Sequence, residues 1–148
     1  MAREQDPTKT IAQECIGVRI RILNRVITRI YDDVLREHGI TLAQLNILTA
    51  TSLHGPLQPS RLVRILSIEK STLSRNLRLM ETNGWVRTRP GTGNTQNVQV
   101  TAAGRRLLRD AKPAWDDAQA RTEELMGSRA VGALANVVSR ISQDGESR

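Results

Sequence analysis

Pro59-Ser60-Arg61-Leu62-Val63-Arg64-Ile65-Leu66-Ser67-Ile68-Glu69-Lys70-Ser71-Thr72-Leu73-Ser74-Arg75-Asn76-Leu77-Arg78-Leu79-Met80-Glu81-Thr82-Asn83-Gly84-Trp85-Val86 reads as two short helices joined by a tight turn. Leu62, Ile65 and Leu66 recur at helical spacing, and Leu73, Leu77 and Met80 do so again after a turn of about three residues. Pro59 suits a first helical position, where its missing N–H would be unpaired in any case. Gly84 suits the residue just past a helix end, where φ is often positive.

On the second of these helices Leu73, Leu77 and Met80 make one face. Lys70, Ser71, Ser74, Arg75 and Arg78 make another, with three cations and two hydroxyls together. Such a face fits the major groove of DNA, because an arginine can donate two parallel hydrogen bonds to the acceptor edge of guanine and short hydroxyls reach bases or phosphates. The bland alternative is a solvated charged face on an ordinary surface helix, and the stretch alone leaves both open.

The residues that follow favour the first. Trp85-Val86-Arg87-Thr88-Arg89 and Asn97-Val98-Gln99-Val100-Thr101 are alternating runs flanking Pro90-Gly91-Thr92-Gly93-Asn94-Thr95-Gln96, which is a hairpin signal. A helix-turn-helix followed by a hairpin is the winged-helix order. The run Leu66-x-Ile68-x-x-Ser71-Thr72-Leu73-Ser74-Arg75-x-Leu77, then Glu81-x-x-Gly84-Trp85-Val86, then Val100-Thr101-x-x-Gly104, resembles the MarR family of bacterial transcriptional regulators. The resemblance extends over most of the chain.

It implies a mainly α fold with a small β-hairpin: a winged helix-turn-helix with N- and C-terminal dimerisation helices. Residues 1–40 would be the N-terminal dimerisation helix, 41–104 the DNA-binding domain and 105–148 the C-terminal dimerisation helices. The implied function is a dimeric, sequence-specific regulator of transcription on double-stranded DNA, a repressor relieved by a small molecule or a stress signal. The candidate DNA-binding residues are Ser60, Arg61, Lys70, Ser71, Thr72, Ser74, Arg75, Arg78, Arg87, Arg89 and Asn94.

Charge supports a polyanionic partner. The 148 residues carry a formal net charge of +7. Residues 56–109 hold ten Arg or Lys (Arg61, Arg64, Lys70, Arg75, Arg78, Arg87, Arg89, Arg105, Arg106 and Arg109) against Glu69 and Glu81 alone, so the excess lies in the winged-helix region. Trp85, Trp115 and Tyr31 are the only aromatics, which disfavours single-stranded nucleic acid because its binders stack bases on rings. One cysteine excludes an internal disulfide. No apolar run approaches the roughly 20 residues of a membrane helix, and Met1-Ala2-Arg3-Glu4-Gln5-Asp6 has no signal-peptide core, so a cytoplasmic protein is expected.

In chain order, Asp6-Pro7 opens a helix predicted to run to about His38 before Gly39, with Thr10-x-x-Gln13 as a second possible cap. Ile16, Ile20, Leu23, Ile27, Ile30 and Val34 make one stripe; Ile11, Cys15, Val18 and Ile22 make another beside it. A helix apolar on two sides is buried on two sides, so one is expected against a second copy of the chain; the alternative is one broad core face. Thr41-x-x-Gln44 is a capping box for a helix reaching His54-Gly55. Thr101 is the expected N-cap of a long helix through Leu107, Leu108, Ala111, Trp115, Ala118, Thr122 and Leu125, which Pro113 kinks or interrupts. Ser128 is read as the cap of a last helix with Val131, Leu134, Val138 and Ile141.

Enzyme chemistry finds no support, since no paired-carboxylate or nucleophile-elbow motif appears and Gly91-x-Gly93 lacks the rest of a dinucleotide fingerprint. No cofactor or metal is expected, with one cysteine and two separated histidines. Cys15 falls where peroxide-sensing members of the family carry a reactive cysteine, but no tyrosine partner is evident in sequence, and it reads as a small packing residue. By the same resemblance Arg19, Ile22 and Trp115 would line a pocket between the DNA-binding lobe and the dimerisation helices, suited to a small anionic aromatic effector; the alternative for Arg19 is that it reaches solvent. The wing departs from the family. Where members carry an Asp-Arg-Arg cluster, this chain has Thr92, Gly93 and Asn94, and no charge falls between Pro90 and Gln99. That neutrality favours the rival reading, a winged-helix dimer that works as a protein-interaction module.

Overall fold

Asp6 caps the first helix through its carboxylate, which accepts the Thr8 amide at 3.0 Å, and Pro7 takes the first helical position. The computed structural model describes residues 6–146, so Met1–Gln5, read above for a signal peptide, and the last two residues of the polar tail lie outside the described residues. The elements are α1 (Pro7–Glu14), α2 (Ile16–Leu35), a 3₁₀ turn (Arg36–His38), α3 (Leu42–His54), α4 (Pro59–Leu66), α5 (Lys70–Thr82), β1 (Val86–Pro90), β2 (Gln96–Val100), α6 (Ala102–Met126) and α7 (Ser128–Glu146).

The first helix is not continuous, as its periodicity predicts, but breaks at Cys15, whose ψ of 107° is extended. Ile16, Gly17 and Val18 follow, and β-branched residues and glycine are poor helix formers, so the break falls where propensity is weakest. Asp6 starts α1 a turn earlier than Thr10, which is therefore interior and caps nothing. The lower half of α2 is held firmly. Tyr31 and Leu35 are buried, Ile27, Ile30 and Val34 pack beside them, and an Asp32 carboxylate oxygen accepts the Leu42 amide at 2.7 Å to fix the start of α3.

Four local signals are realised as read. Thr41 and Gln44 form a reciprocal capping box, Pro59 is the first residue of α4, Thr101 Oγ1 accepts the Gly104 amide at 3.1 Å, and Gly84 has φ +71°. Pro113 is exposed on an unbroken α6 and deprives the Arg109 carbonyl of its intrahelical donor. Ser128 is the first residue of α7 and not its cap.

The core lies where α3, α4, α5, the hairpin and α6 meet. It contains Leu45, Ile47, Leu48, Leu57, Leu62, Leu73, Met80, Val86, Val98 and Val100. Ala111, Ala114 and Ala118 of α6 are buried, and their small side chains let α2 pack closely along it. Gly104 is required by a close approach: a Cβ there would lie 2.2 Å from the Trp85 carbonyl oxygen.

Two apolar surfaces have no cover. Ile16 (70% exposed), Val18, Ile20 (60%) and Ile22 stand out from the upper half of α2, with Ile11 above them on α1. On α7, Leu134, Val137, Val138 and Ile141 (66%) form a stripe at i, i+3, i+4, i+7 with nothing against it. Among the described residues no helix is long and apolar enough to cross a membrane, and no cluster of three or more His, Cys, Asp or Glu could hold a metal ion.

Candidate nucleic-acid interface

The site is built from the α4–turn–α5 unit and the hairpin. The turn spans Ser67, Ile68 and Glu69, three residues as the spacing predicts, and Ser67 adopts the left-handed region (φ +50°, ψ +45°) while its amide donates to the Val63 carbonyl. Leu62 and Leu73 are fully buried on either side of that turn, and Leu66, Ile68 and Leu77 pack next to them. Ile65 departs from the expected apolar face and is exposed.

Burial of Leu73 and Met80 fixes the rotation of α5. Lys70, Ser71, Ser74, Arg75 and Arg78 are therefore turned outward, and all five are exposed. Thr72 is half-buried; its carbonyl accepts Asn76 Nδ2 at 3.0 Å, and its hydroxyl lies 3.5 Å from an Arg75 terminal nitrogen. Ser60 and Arg61 are exposed in the first turn of α4, with Arg64 one turn on. Among the described residues no carboxylate pairs with any of these cations. The face is unneutralised.

In the antiparallel hairpin Val86 pairs with Val100, Arg87 with Gln99, Thr88 with Val98, Arg89 with Asn97 and Pro90 with Gln96. Side chains alternate along a strand, so Arg87, Arg89, Asn97 and Gln99 share the face opposite buried Val86, Val98 and Val100. Arg87 Nε donates to Gln99 Oε1 at 2.9 Å. Thr88 donates its hydroxyl to the Glu81 carboxylate, tying β1 to the end of α5. Asn94 is exposed at the tip, where the Gly91 amide donates to the Thr95 carbonyl at 2.8 Å and closes the loop.

Sequence reasoning missed three parts of this frame. Leu57 exchanges both backbone hydrogen bonds with Val98, at 3.0 and 2.8 Å, and so adds a one-residue third strand beside β2; a single residue between Pro56, Gln58 and Pro59 carries no period to read. The Arg87 to Gln99 bond depends on strand register and the Glu81 to Thr88 bond on how the hairpin packs against α5, and the sequence leaves both free.

The expected effector residues are not brought together. Arg19 and Ile22 line an open cleft of about 510 Å³ with Leu23, Val26, Leu125, Met126 and Ala130, beside the uncovered apolar surface. Trp115 lies in another, of about 310 Å³, between α3 and α6 with Leu45, Asn46, Thr49, Leu108 and Lys112. The reason is the direction of α6: Trp115 is almost three turns before Leu125, and its ring packs 6.5 Å from that of Tyr31, near the lower end of α2. The Lys112 ammonium sits 5.2 Å from the Trp115 ring centroid and pairs with Asp116 at 2.6 Å. Its i, i+3 relation to Trp115 was the signal available in the sequence.

Behind Trp115, Tyr31 donates its hydroxyl to Gln119 Oε1. Burial, together with the nearby charge of Glu123, raises the Tyr31 pKa above the usual phenol value.

Comparison with known proteins bears on this arrangement. A family model described as MarR family matches residues 38–94. The HTH-type transcriptional regulator PecS of Dickeya dadantii (strain 3937) is 31% identical over 98 residues, which is 63% of this chain and 58% of that one. The uncharacterized HTH-type transcriptional regulator YwoH of Bacillus subtilis (strain 168) is 26% identical over 93 residues, 63% of this chain and 64% of that one. The chain thus spans less than two thirds of either relative's length. The crystal structure of the M. tuberculosis transcriptional regulator MosR superposes with a TM-score of 0.77 at 30% identity, covering 92% of this chain and 98% of that chain. Its complex with DNA gives 0.76 at 30% identity over 90% and 98%.

Proposed function

The chain belongs to the MarR family, and we propose that it acts in the cytoplasm as a homodimeric regulator that binds duplex DNA and represses transcription by occupying it. The observation that carries this reading is the outward face of α5, where Lys70, Ser71, Ser74, Arg75 and Arg78 are exposed together without a neutralising carboxylate among the described residues. Buried Leu73 and Met80 hold that face at a fixed rotation, so all five side chains leave α5 on the side a groove would meet. MosR, similar over nearly its whole length, has a structure in complex with DNA, which supports the same partner here.

Residues 1–40 and 105–148 supply the dimer, with the α2 and α7 apolar surfaces meeting those of a second copy. An uncovered apolar stripe at helical period is costly in water, and a helix from a partner is its natural cover. DNA binding would then couple to assembly through α6, which runs from the hairpin to that surface.

Relief by a small anionic aromatic molecule is assigned to the Trp115 cleft. Trp115 offers a stacking face and Lys112 a cation at its edge, while Arg19 is engaged elsewhere by a backbone carbonyl. The second reading, a winged-helix module acting through a protein partner, is favoured by one observation only: the hairpin carries no charge from Pro90 to Gln99. A gel shift across a genomic fragment library, beginning with the DNA that flanks the protein's own gene, tests the first reading. Retarded fragments sharing a palindrome support it; the absence of any retarded fragment at micromolar protein supports the second.

A further inference from the structure

Both cations of the hairpin lie on β1, Arg87 one pair from the base at Val86–Val100 and Arg89 one pair from the loop. Arg87 and Arg89 lie two residues apart on one face, about 7 Å by strand geometry, and the ten residues from Pro90 to Gln99 are uncharged. The base is also the part tied by hydrogen bonds to the end of α5 and to its neighbours. Glu81 holds Thr88, the Thr101 hydroxyl donates to the Gly84 carbonyl (2.6 Å) while its amide donates to that of Trp85 (3.0 Å), and Leu57 is bonded to Val98.

At that base Arg87 is singled out by its partner. A guanidinium presents five N–H donors in one plane, and Gln99 engages only Nε, leaving both terminal nitrogens for another acceptor. Those two nitrogens can grip a phosphate bidentately, end-on. Gln99 is neutral, so it fixes the plane without cancelling the charge, whereas a carboxylate in its place would do both. An arginine already held in the free protein loses less freedom when it meets its ligand.

We infer that Gln99 is a positioning residue that presents the Arg87 guanidinium to a phosphate of the DNA backbone, so that this hairpin grips the duplex at its base and not at its tip. This rests on the DNA-binding reading above and names how one of its contacts is made.

The test is a fluorescence-anisotropy titration of a labelled mixed-sequence duplex of about 30 bp, at several KCl concentrations, with the full chain as wild type, Arg87→Ala, Gln99→Leu, the double variant and Gln99→Glu. Arg87→Ala is expected to lower the slope of log K against log salt by about 0.9 for each hairpin engaged. Gln99→Leu is expected to weaken binding roughly three- to tenfold with unchanged thermal unfolding. The double variant binds no more weakly than Arg87→Ala, because without the guanidinium there is nothing to position. Gln99→Glu binds more weakly than Gln99→Leu. Additive losses in the double variant, an unchanged slope in Arg87→Ala, or Gln99→Glu binding as well as wild type would each overturn the inference while leaving DNA binding intact. If wild type binds no duplex at any salt, the DNA-binding reading falls and takes this contact with it.

Discussion

The guanidinium of Arg19 donates to the backbone carbonyl of Gln13, spanning the break between α1 and α2. Gln13 lies in the last turn of α1, where carbonyls lose their intrahelical donors. The arginine restores one of them from a turn into the next helix. That engagement explains why Arg19 is less available to an effector than its place on an apolar stripe suggests.

Cys15 takes the N-cap position of α2 with no side-chain hydrogen bond. Serine is among the preferred N-caps, so Cys15→Ser should stabilise the fold by up to about 1 kcal/mol and raise the melting temperature by a few degrees. Calorimetry reads this directly. Mild peroxide should leave DNA binding of both proteins unchanged; loss in wild type but not in Cys15→Ser would make the thiol a sensor.

Ser67 is the one non-glycine residue with positive φ among those described. Left-handed backbone costs an ordinary residue about 1 kcal/mol relative to glycine. Ser67→Gly should therefore raise the urea midpoint without altering the m-value. A fall in the midpoint would mean that the Ser67 side chain stabilises the turn in a way its backbone bond does not account for.

Arg75, nearer the start of α5, is expected to read a base, and Arg78 a phosphate. Arg75→Ala should cost roughly 1–3 kcal/mol on the operator and relax one position of it, whereas Arg78→Ala should weaken all sequences and lower the salt slope by about one. Equal losses for Arg75→Ala on operator and random DNA would reverse the assignment.

At the hairpin tip, Asn94→Arg adds a cation where none exists. Affinity should rise and the salt slope steepen by about 0.9 per new contact. Asn94 is a better probe than Gly93, whose φ of +66° would strain any side chain. A variant that loses binding would place the neutral tip already in close contact with the duplex.

Ile20 and Ile141 stand on the two uncovered apolar surfaces. Ile20→Glu or Ile141→Glu should shift the protein from dimer to monomer in light scattering and lower its stability in a concentration-dependent way. Wild-type protein that is monomeric at every concentration would contradict the assembly.

The reach of the sequence varied with the range of the interaction. Thr41 with Gln44, Pro59, Gly84 and Thr101 are legible because a cap is settled within four residues, and the outward face of α5 because one helical period determines it. The break at Cys15 was hidden by the apolar stripes, which run on through it; backbone propensity around Gly17 decides there, and periodicity does not register it. The Trp115 cleft combines Asn46 and Thr49 of α3 with Lys112 of α6, residues that only tertiary packing joins. The grip of Gln99 on Arg87 needed the register of two strands, which is fixed by the loop between them.

Gly104 leaves the Trp85 carbonyl no clearance, and α6 continues from that joint for 25 residues without a break. At 1.5 Å per residue the helix is a strut of about 37 Å, clamped at one end to the floor of the hairpin. A tilt of about 5° at its far end, where Leu125 meets open solvent, corresponds to a sweep of about 3 Å along that length. Thr101 and Gly104 join that end of α6 to Gly84 and Trp85, so such a tilt would be carried toward Arg87 and the neighbouring end of α5. Two struts in a dimer would set the span between the two reading heads, and a change in their angle would be felt as a mismatch with the pitch of the duplex.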